Sequence, residues 1–402
     1  MKNDKLERQK RETKCNMEGL ASLFVDVGKI QPLEAIKAPK LLDDGTVVLE
    51  NNVGLLGGSS GVKSIASIHE GKHNRIYQIT LENGRQFVLR IPYYLEQAYT
   101  TSLVVKSEVA TLDFLSLKLN ASVPRVIAYG YDRDNSLKSP FILMEYFSGD
   151  LLMRNWDPLD STEGAETKLK EVIDPVMEFY AKLLEVTFNK YGSLYFFNDV
   201  SPEEQRDVPY DGETNPEFEN RWRIGPTTER IYHKGKFRMS KNSLLPHLGP
   251  FKDIKDVLKS VANVQIDFLK HRIGLSAADA GESVSKEDLE KQIAALEDYL
   301  KIAPQLLNLK SLAIANVEEA FKPRFHFPDL DPLNVIVTKD GPVFVDFENT
   351  LIKPYILQSY PSFVAYNGAK IYNLEEDIDD YELLDELQKQ QFQFMYYKTR
   401  NE

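Results

Sequence analysis

One stretch constrains this chain more than any other. Residues 329–348 read DLDPLNVIVTKDGPVFVDFE: an aspartate, an asparagine five residues on, and a second aspartate beyond a short hairpin. The apolar runs 335–338 and 343–345 read as its two strands, with the turn at Asp340-Gly341. Such a hairpin can bring Asp329, Asn334 and Asp346 to close quarters. Asp346 follows Val343-Phe344-Val345, so it is expected at the end of a buried strand. An unpaired carboxylate is costly there, and a metal or another cation is expected beside it. Phosphoryl transfer needs this donor set, because it is mostly positioning and charge neutralisation. One carboxylate, Asp329, would face the attacking hydroxyl. A carboxylate and an amide oxygen, from Asp346 and Asn334, would hold Mg²⁺ against the phosphates. The plainer alternative is that Asp329 and Asn334 cap a loop and Asp346 faces solvent.

The upstream half supplies independent support. Ile76, Ile79 and Leu81 flank polar residues, the turn Glu82-Asn83-Gly84 follows, and 86–91 is strand-like, together a hairpin signal. A helix is read over 102–119 from Val105, Val109, Leu112 and Leu119. Two more strands are read at 125–131 and 141–147. Arg90 lies in the strand 86–91, and Glu108 lies on or beside the apolar face of the helix. A buried acid needs a partner, and Arg90 is the natural one; the bland alternative is that Glu108 reaches solvent. In a kinase-like lobe such a strand-to-helix pair orients nucleotide phosphates. The bend at Glu70-Gly71-Lys72 could cover those phosphates. Glu145, near the end of the last strand, joins Arg90, Glu108, Glu70 and Gly71 among the candidate cofactor-binding residues.

These segments divide the chain into three. Residues 1–62 read as an N-terminal extension and linker ending in the glycine-rich run 54–61. Residues 63–149 form a small β-rich lobe with one helix. Residues 150–402 form a larger, mostly helical lobe carrying the Asp/Asn/Asp set. Its helices are read at 165–188, at 285–302 behind the N-cap Ser285, and near 380–397. Its segment 192–250, rich in Pro, Gly and polar residues, is too long for a simple connection. The fold class is therefore α+β, two-lobed and kinase-like.

Composition excludes several classes. A net charge of −12 argues against general nucleic-acid binding, which needs a basic footprint. No run approaches 18 consecutive apolar residues, so no membrane span is expected. The one cysteine, Cys15, excludes an intramolecular disulfide framework. The basic N-terminus carries Asp4, Glu7 and Glu12 and matches an import presequence poorly. His69-Glu70-Gly71-Lys72-His73 spells the H-E-x-x-H of zinc proteases, but Gly71 weakens the helix that signature needs. Residues 57–64 (GGSSGVKS) lack the glycine that a phosphate loop requires where Val62 stands.

The strings HFPDLDPLNVIV and VFVDFE resemble the signature motif of the aminoglycoside phosphotransferase and choline kinase superfamily. The segments 67–77 (SIHEGKHNRIY), 87–93 (FVLRIPY), 107–114 (SEVATLDF), 140–152 (PFILMEYFSGDLL), 210–216 (YDGETNP), 221–230 (RWRIGPTTER) and 353–372 extend that resemblance to a fungal mitochondrial branch over nearly the whole chain. The resemblance implies a phosphotransferase fold, ATP and Mg²⁺ as cofactors, and mitochondrial residence, with the cytoplasm as the alternative. It implies Asp329 as catalytic base, Asn334 and Asp346 as metal ligands, and Arg90 with Glu108 as the phosphate-orienting pair. Two departures stand out. The superfamily places a histidine two residues before the catalytic aspartate, where this chain has Phe327, with His326 one step earlier. The strand cation is Arg90 rather than lysine, and the two are not equivalent. Members of this branch extend further at both ends, so the chain is read as starting after their presequence. Two functions are left open: ATP-dependent phosphorylation of a small hydroxyl-bearing molecule, for which Asp331 and Glu348 would suit a cationic acceptor, or a non-catalytic binding protein of the same fold.

Overall fold

The computed structural model describes residues 11, 15–154, 162–274, 285–307 and 317–358, together with 385 and 389. The helix expected near 380–397 lies outside them apart from the last two.

The N-terminal half is built on a seven-stranded antiparallel sheet. In chain order its elements are helix α1 (Glu18–Gly28), strands β1 (Lys40–Leu41), β2 (Val47–Val48), β3 (Val62–Glu70), β4 (Asn74–Leu81) and β5 (Gln86–Pro92), helix α2 (Ala98–Leu117), and strands β6 (Val126–Gly130) and β7 (Phe141–Glu145). The sheet order is β1-β2-β6-β7-β5-β4-β3. The β4–β5 hairpin turns at Gly84, whose φ of 83° is a left-handed conformation suited to glycine. The twofold alternation of a strand decides which residue faces which helix. In β5, Phe87, Leu89 and Ile91 join the core beneath α1, with Leu20, Leu23, Phe24 and Val27. Val88 and Arg90 take the opposite face, against α2.

Helix α1 and strands β1 and β2 all come from the residues read as an extension. They complete one edge of the sheet and cover the face opposite α2. Leu20, Leu23, Phe24 and Val27 fall at i, i+3, i+4 and i+7, a helical stripe that the neighbouring charged arm masks in a sequence reading.

Helix α2 begins at Ala98, earlier than the spacing predicts, and is buried around much of its circumference. A helix buried on several sides lies between other elements. Here one side meets the sheet and the other meets the second half of the chain. Phe114 stands at that junction, edge-on to Trp222 at 4.9 Å and to Phe325 at 5.4 Å between ring centroids.

The second half continues with β8 (Asp150–Leu151), α3 (Ala165–Glu185), the hairpin β9 (Ser193–Phe196) and β10 (Trp222–Gly225), and the short helices α4 (Arg230–His233) and α5 (Lys241–Leu244). Then follow α6 (Ile254–Ile273), α7 (Lys286–Leu306), α8 (Val317–Phe321), and strands β11 (Pro323–His326), β12 (Val335–Thr338), β13 (Gly341–Phe344) and β14 (Leu351–Pro354). Ser285 caps α7 by accepting from the Asp288 N–H at 3.1 Å. The β12–β13 hairpin pairs Thr338 with Gly341, so the turn residues are Lys339 and Asp340, one step before the expected pair. The segment 192–250 holds β9, β10, α4 and α5, and its hairpin packs on α2.

Candidate active site

Asp329 and Asn334 lie on the loop between β11 and β12, and Asp346 lies just past β13. Proline at 332 opens a single 3-10 turn, capped by the Asp331 carboxylate, which accepts from the Leu333 N–H at 2.9 Å. Asn334 ties this loop together. Its side-chain NH₂ donates to the Asp329 carbonyl at 2.8 Å, and its own carbonyl accepts from the Val345 N–H at 2.9 Å. With the NH₂ end engaged, the amide oxygen is the end available to a cation.

Asp346 has a φ of 63°, a left-handed conformation that costs a non-glycine residue about 1 kcal/mol or more. That turn carries its carboxylate toward the sheet, where Arg90 donates from one terminal nitrogen at 3.1 Å. The other terminal nitrogen of Arg90 is in contact with the Glu108 carboxylate. Arg90 thus joins β5, α2 and the segment after β13. Asp346 was expected at the end of a buried strand; its side chain is instead 44% exposed, as the plainer alternative has it, with Arg90 as its neighbouring cation, and the small cleft beside it is lined by Arg90 and Glu348.

The crowding of acids shapes this cleft. Although the Asp346 side chain is half-exposed, the atoms packed around its carboxyl desolvate it and raise it above its ordinary value; Arg90 opposes this, and Glu348 and Asp329 add to it. Asp329 is raised too, by burial first, with Arg230 opposing and Glu348 adding. Burial would raise Glu348 as well, but Arg90, a hydrogen bond from Asn74, His73 and Arg230 together hold it below its ordinary range. Asn74 donates to Glu348 at 2.7 Å, and Arg230 lies 3.6 Å from its other oxygen.

The other sequence candidates fall as follows. Glu70 ends β3 and is paired with Arg75, while the Gly71 N–H donates to the Asn74 carbonyl at 2.9 Å. This tight turn brings His73 and Asn74 to the wall of the cleft, beside Arg90 and Glu348. His69 lies on β3 and His73 beyond the turn, so the two histidines share no helical face. Glu145 stands opposite Phe87, three residues from Arg90 along β5, and its carboxylate is held by Arg125 at 2.8 and 2.9 Å. Among the described residues, no group of three or more His, Cys, Asp or Glu side chains is arranged to hold a metal ion. Mg²⁺, however, uses one or two carboxylates and completes its shell with water and phosphate oxygens. Asp346 and the Asn334 amide oxygen fit that requirement. Two buried nitrogens beside the cleft, Arg90 Nε and His73 Nε2, have no hydrogen-bond partner, as suits walls built for a polar ligand.

Phe327 replaces the superfamily's loop histidine in position but not in chemistry. Its ring stacks on Phe347 at 4.4 Å and meets Phe179 edge-on at 6.5 Å, anchoring the loop by apolar contact. His326 is buried, which pushes its pKa down to about 3.

The two-lobed α+β architecture is that of the kinase-like phosphotransferases, and residues 64–225 match the phosphotransferase enzyme family. More narrowly, the chain belongs to the family of altered inheritance of mitochondria protein 9, as its similarity to curated fungal members shows. The relative from Clavispora lusitaniae is 54% identical over 410 residues, covering all of this chain and 67% of that protein. The Debaryomyces hansenii relative is 51% identical over 423 residues, with the same coverage. The Candida albicans relative is 52% identical and 65% covered, so the chain spans about two thirds of the relatives it matches. Among solved structures, it resembles an ethanolamine kinase of Plasmodium vivax at 12% identity and TM-score 0.36, covering 73% of this chain and 57% of that one. A choline kinase from Cryptosporidium parvum gives 12% identity and TM-score 0.33, with 73% and 60% coverage. Neither structural likeness bears on the function. No helix among the described residues is long and apolar enough to cross a membrane.

Sequence reasoning missed Asn74 and Arg230 as site residues. Both lie in strings that carry the family resemblance, but neither belongs to the Asp/Asn/Asp pattern. Asn74 opens β4 and Arg230 opens α4, so only the folded chain joins them at Glu348.

Proposed function

We propose that this protein is an ATP- and Mg²⁺-dependent phosphotransferase acting on a hydroxyl group of a small molecule, in mitochondria. The observation that carries the reading is Arg90, whose guanidinium engages Glu108 on one side and Asp346 on the other. Its Nε is buried without a protein partner. Asn334 and Asp346 would hold Mg²⁺, which supplies charge neutralisation to the phosphates when bound. Asp329 orients the acceptor hydroxyl and takes its proton as the new O–P bond forms and the bond to the ADP leaving group breaks. Asp329 is an exposed residue, and partial desolvation with the neighbouring acids Glu348 and Asp331 raises its carboxyl, which makes it a better proton acceptor. Mitochondrial residence rests on the relatives' names. Glu145 is left out of the proposed set, because Arg125 already engages its carboxylate.

A non-catalytic binding role is favoured by one observation. The cavity lined by His73, Asn74, Arg90 and Glu348 holds about 60 Å³, small against the roughly 300–1,000 Å³ usual for ligand pockets. Binding a triphosphate there requires the β3–β4 turn to lift from Glu348. Thermal denaturation with ATP and Mg²⁺ tests both readings. Wild type is expected to gain stability with ligand, and Asp346→Ala to lose that gain. Phosphoryl transfer lost in Asp329→Ala with binding retained supports the enzyme. Binding without turnover in wild type supports the second role, and no stabilisation by nucleotide sinks the enzyme and leaves a binding role that uses no nucleotide.

A further inference from the structure

Three of the acids here, Glu348, Asp346 and Asp331, are already answered by the protein. The two oxygens of Glu348 face Asn74 at 2.7 Å and Asn349 at 3.2 Å, Asp346 faces Arg90, and Asp331 caps its own turn. A cationic acceptor, which Asp331 and Glu348 suggest in the sequence, would have to displace these bonds.

Arg230 is placed differently. Its guanidinium is 44% exposed, and its contact with Glu348, at 3.6 Å, is longer than a hydrogen bond. Its charge also acts on Asp329 and Asp346, holding both carboxyls lower than they would otherwise be. The platform beneath it is rigid. Tyr232 and His233 of α4 are buried, with the Tyr232 hydroxyl 2.6 Å from Ser260 of α6 and His233 Nδ1 3.3 Å from Thr100 of α2. Glu229, just before Arg230, is tied to Lys353 at 2.9 Å. A guanidinium held this way, with its donors loosely engaged, is suited to an oxyanion, which it can bind by two parallel hydrogen bonds. His73 and Arg90 line a small cavity beside Glu348, the acid that Arg230 approaches.

We propose that Arg230 is an oxyanion receptor of this cleft, serving the acid group (phosphate or carboxylate) of an anionic acceptor or the terminal phosphate of the nucleotide. The assignment rests on the phosphotransferase reading for its reaction but not for its binding. Calorimetric titrations of the whole chain with MgADP, MgATP and inorganic phosphate, the last both alone and with MgADP, test it. The variants are Arg230→Gln and Arg230→Lys, each first checked for an unchanged melting temperature without ligand. Should Arg230→Gln melt early, Arg230→Lys alone carries the test. An acceptor-side role predicts phosphate binding weakened at least tenfold in Arg230→Gln and partly recovered in Arg230→Lys, with MgATP and MgADP within twofold of wild type. A nucleotide-side role predicts MgATP weakened tenfold with MgADP unchanged. Either outcome supports the oxyanion assignment and identifies its source. Unchanged affinity for both MgATP and phosphate in a wild-type background that binds them overturns it. A wild type that binds neither nucleotide fails the phosphotransferase reading instead, and the phosphate-only titration still decides the role of Arg230.

Discussion

Helix α2 carries two buried acids, and their surroundings differ instructively. Asp113, at the lobe junction, is sealed. Arg221 donates to it from two nitrogens at 2.6 and 2.7 Å, and the Trp222 indole adds a third bond at 3.0 Å. The remaining nitrogen of Arg221 reaches the Lys37 carbonyl at 2.5 Å. Burial still raises the Asp113 carboxyl, with Arg221 and Trp222 opposing. Glu108 lies on the same helix and also has an arginine partner, but Arg90 leaves its Nε unmatched and shares its charge with a half-exposed aspartate. One arginine is fully matched within the protein. The other leaves one buried nitrogen unmatched. Buried polar groups are normally satisfied, so the difference separates a structural joint from a binding wall. The joint also fixes α2 against β10 and thereby sets where Glu108 stands.

The largest effect is expected where the joint is broken. Arg221→Met leaves Asp113 buried without its cation and is expected to cost about 3–5 kcal/mol in urea unfolding. The double variant Asp113→Leu with Arg221→Met should recover part of that loss, and a single variant within 1 kcal/mol of wild type would dissolve the contrast. Glu108→Gln should behave in the opposite sense. It keeps the shape and one acceptor, so a loss of about 1–2 kcal/mol is expected, while MgATP stabilisation disappears. Equal damage to folding and binding in both variants would mean that the two sites are not functionally distinct.

A third test compares sealed and open regions by proton uptake. His326 has a folded pKa of about 3, below the ordinary value near 6.5 of an unfolded chain. The unfolded state therefore binds more protons between these values, so stability is intact above pH 6.5 and declines as pH falls. The decline approaches about 1.4 kcal/mol per pH unit for this group. His326→Gln should flatten the slope between pH 6.5 and 4.5 by about that amount, and an unchanged slope would place the titration elsewhere. The smallest effect belongs to Glu145→Gln. Its partner Arg125 is 46% exposed, so a loss below about 1 kcal/mol is expected, with MgATP affinity unaltered. A collapse of nucleotide binding there would restore Glu145 to the site.

Much of this was legible in advance. The Asp/Asn/Asp spacing, the strand position of Arg90 and the face of α2 that carries Glu108 all follow from periodicity and turn chemistry. Phe327 was legible as a departure, but its consequence was not, because stacking on Phe347 depends on two segments meeting across a hairpin. Helix α1 carries a readable stripe at 20, 23, 24 and 27, masked by the charged residues before it. The exposure of Asp346 ran against expectation, since an apolar run before a residue says nothing about the backbone turn at that residue.

What the sequence alone determined was local: which residues alternate on a strand, which cap a helix, and which acids and amide share a short loop. These follow from covalent geometry and hydrogen-bonding rules that act over a few residues. Which distant groups converge was decided by the tertiary structure. Arg90 meets Asp346, Asn74 and Arg230 meet Glu348, and Arg221 closes on Asp113, all across more than a hundred positions of chain. The physical reason is that charge and desolvation act through space, so their effect on a carboxylate depends on the packing of whole elements rather than on neighbours in sequence.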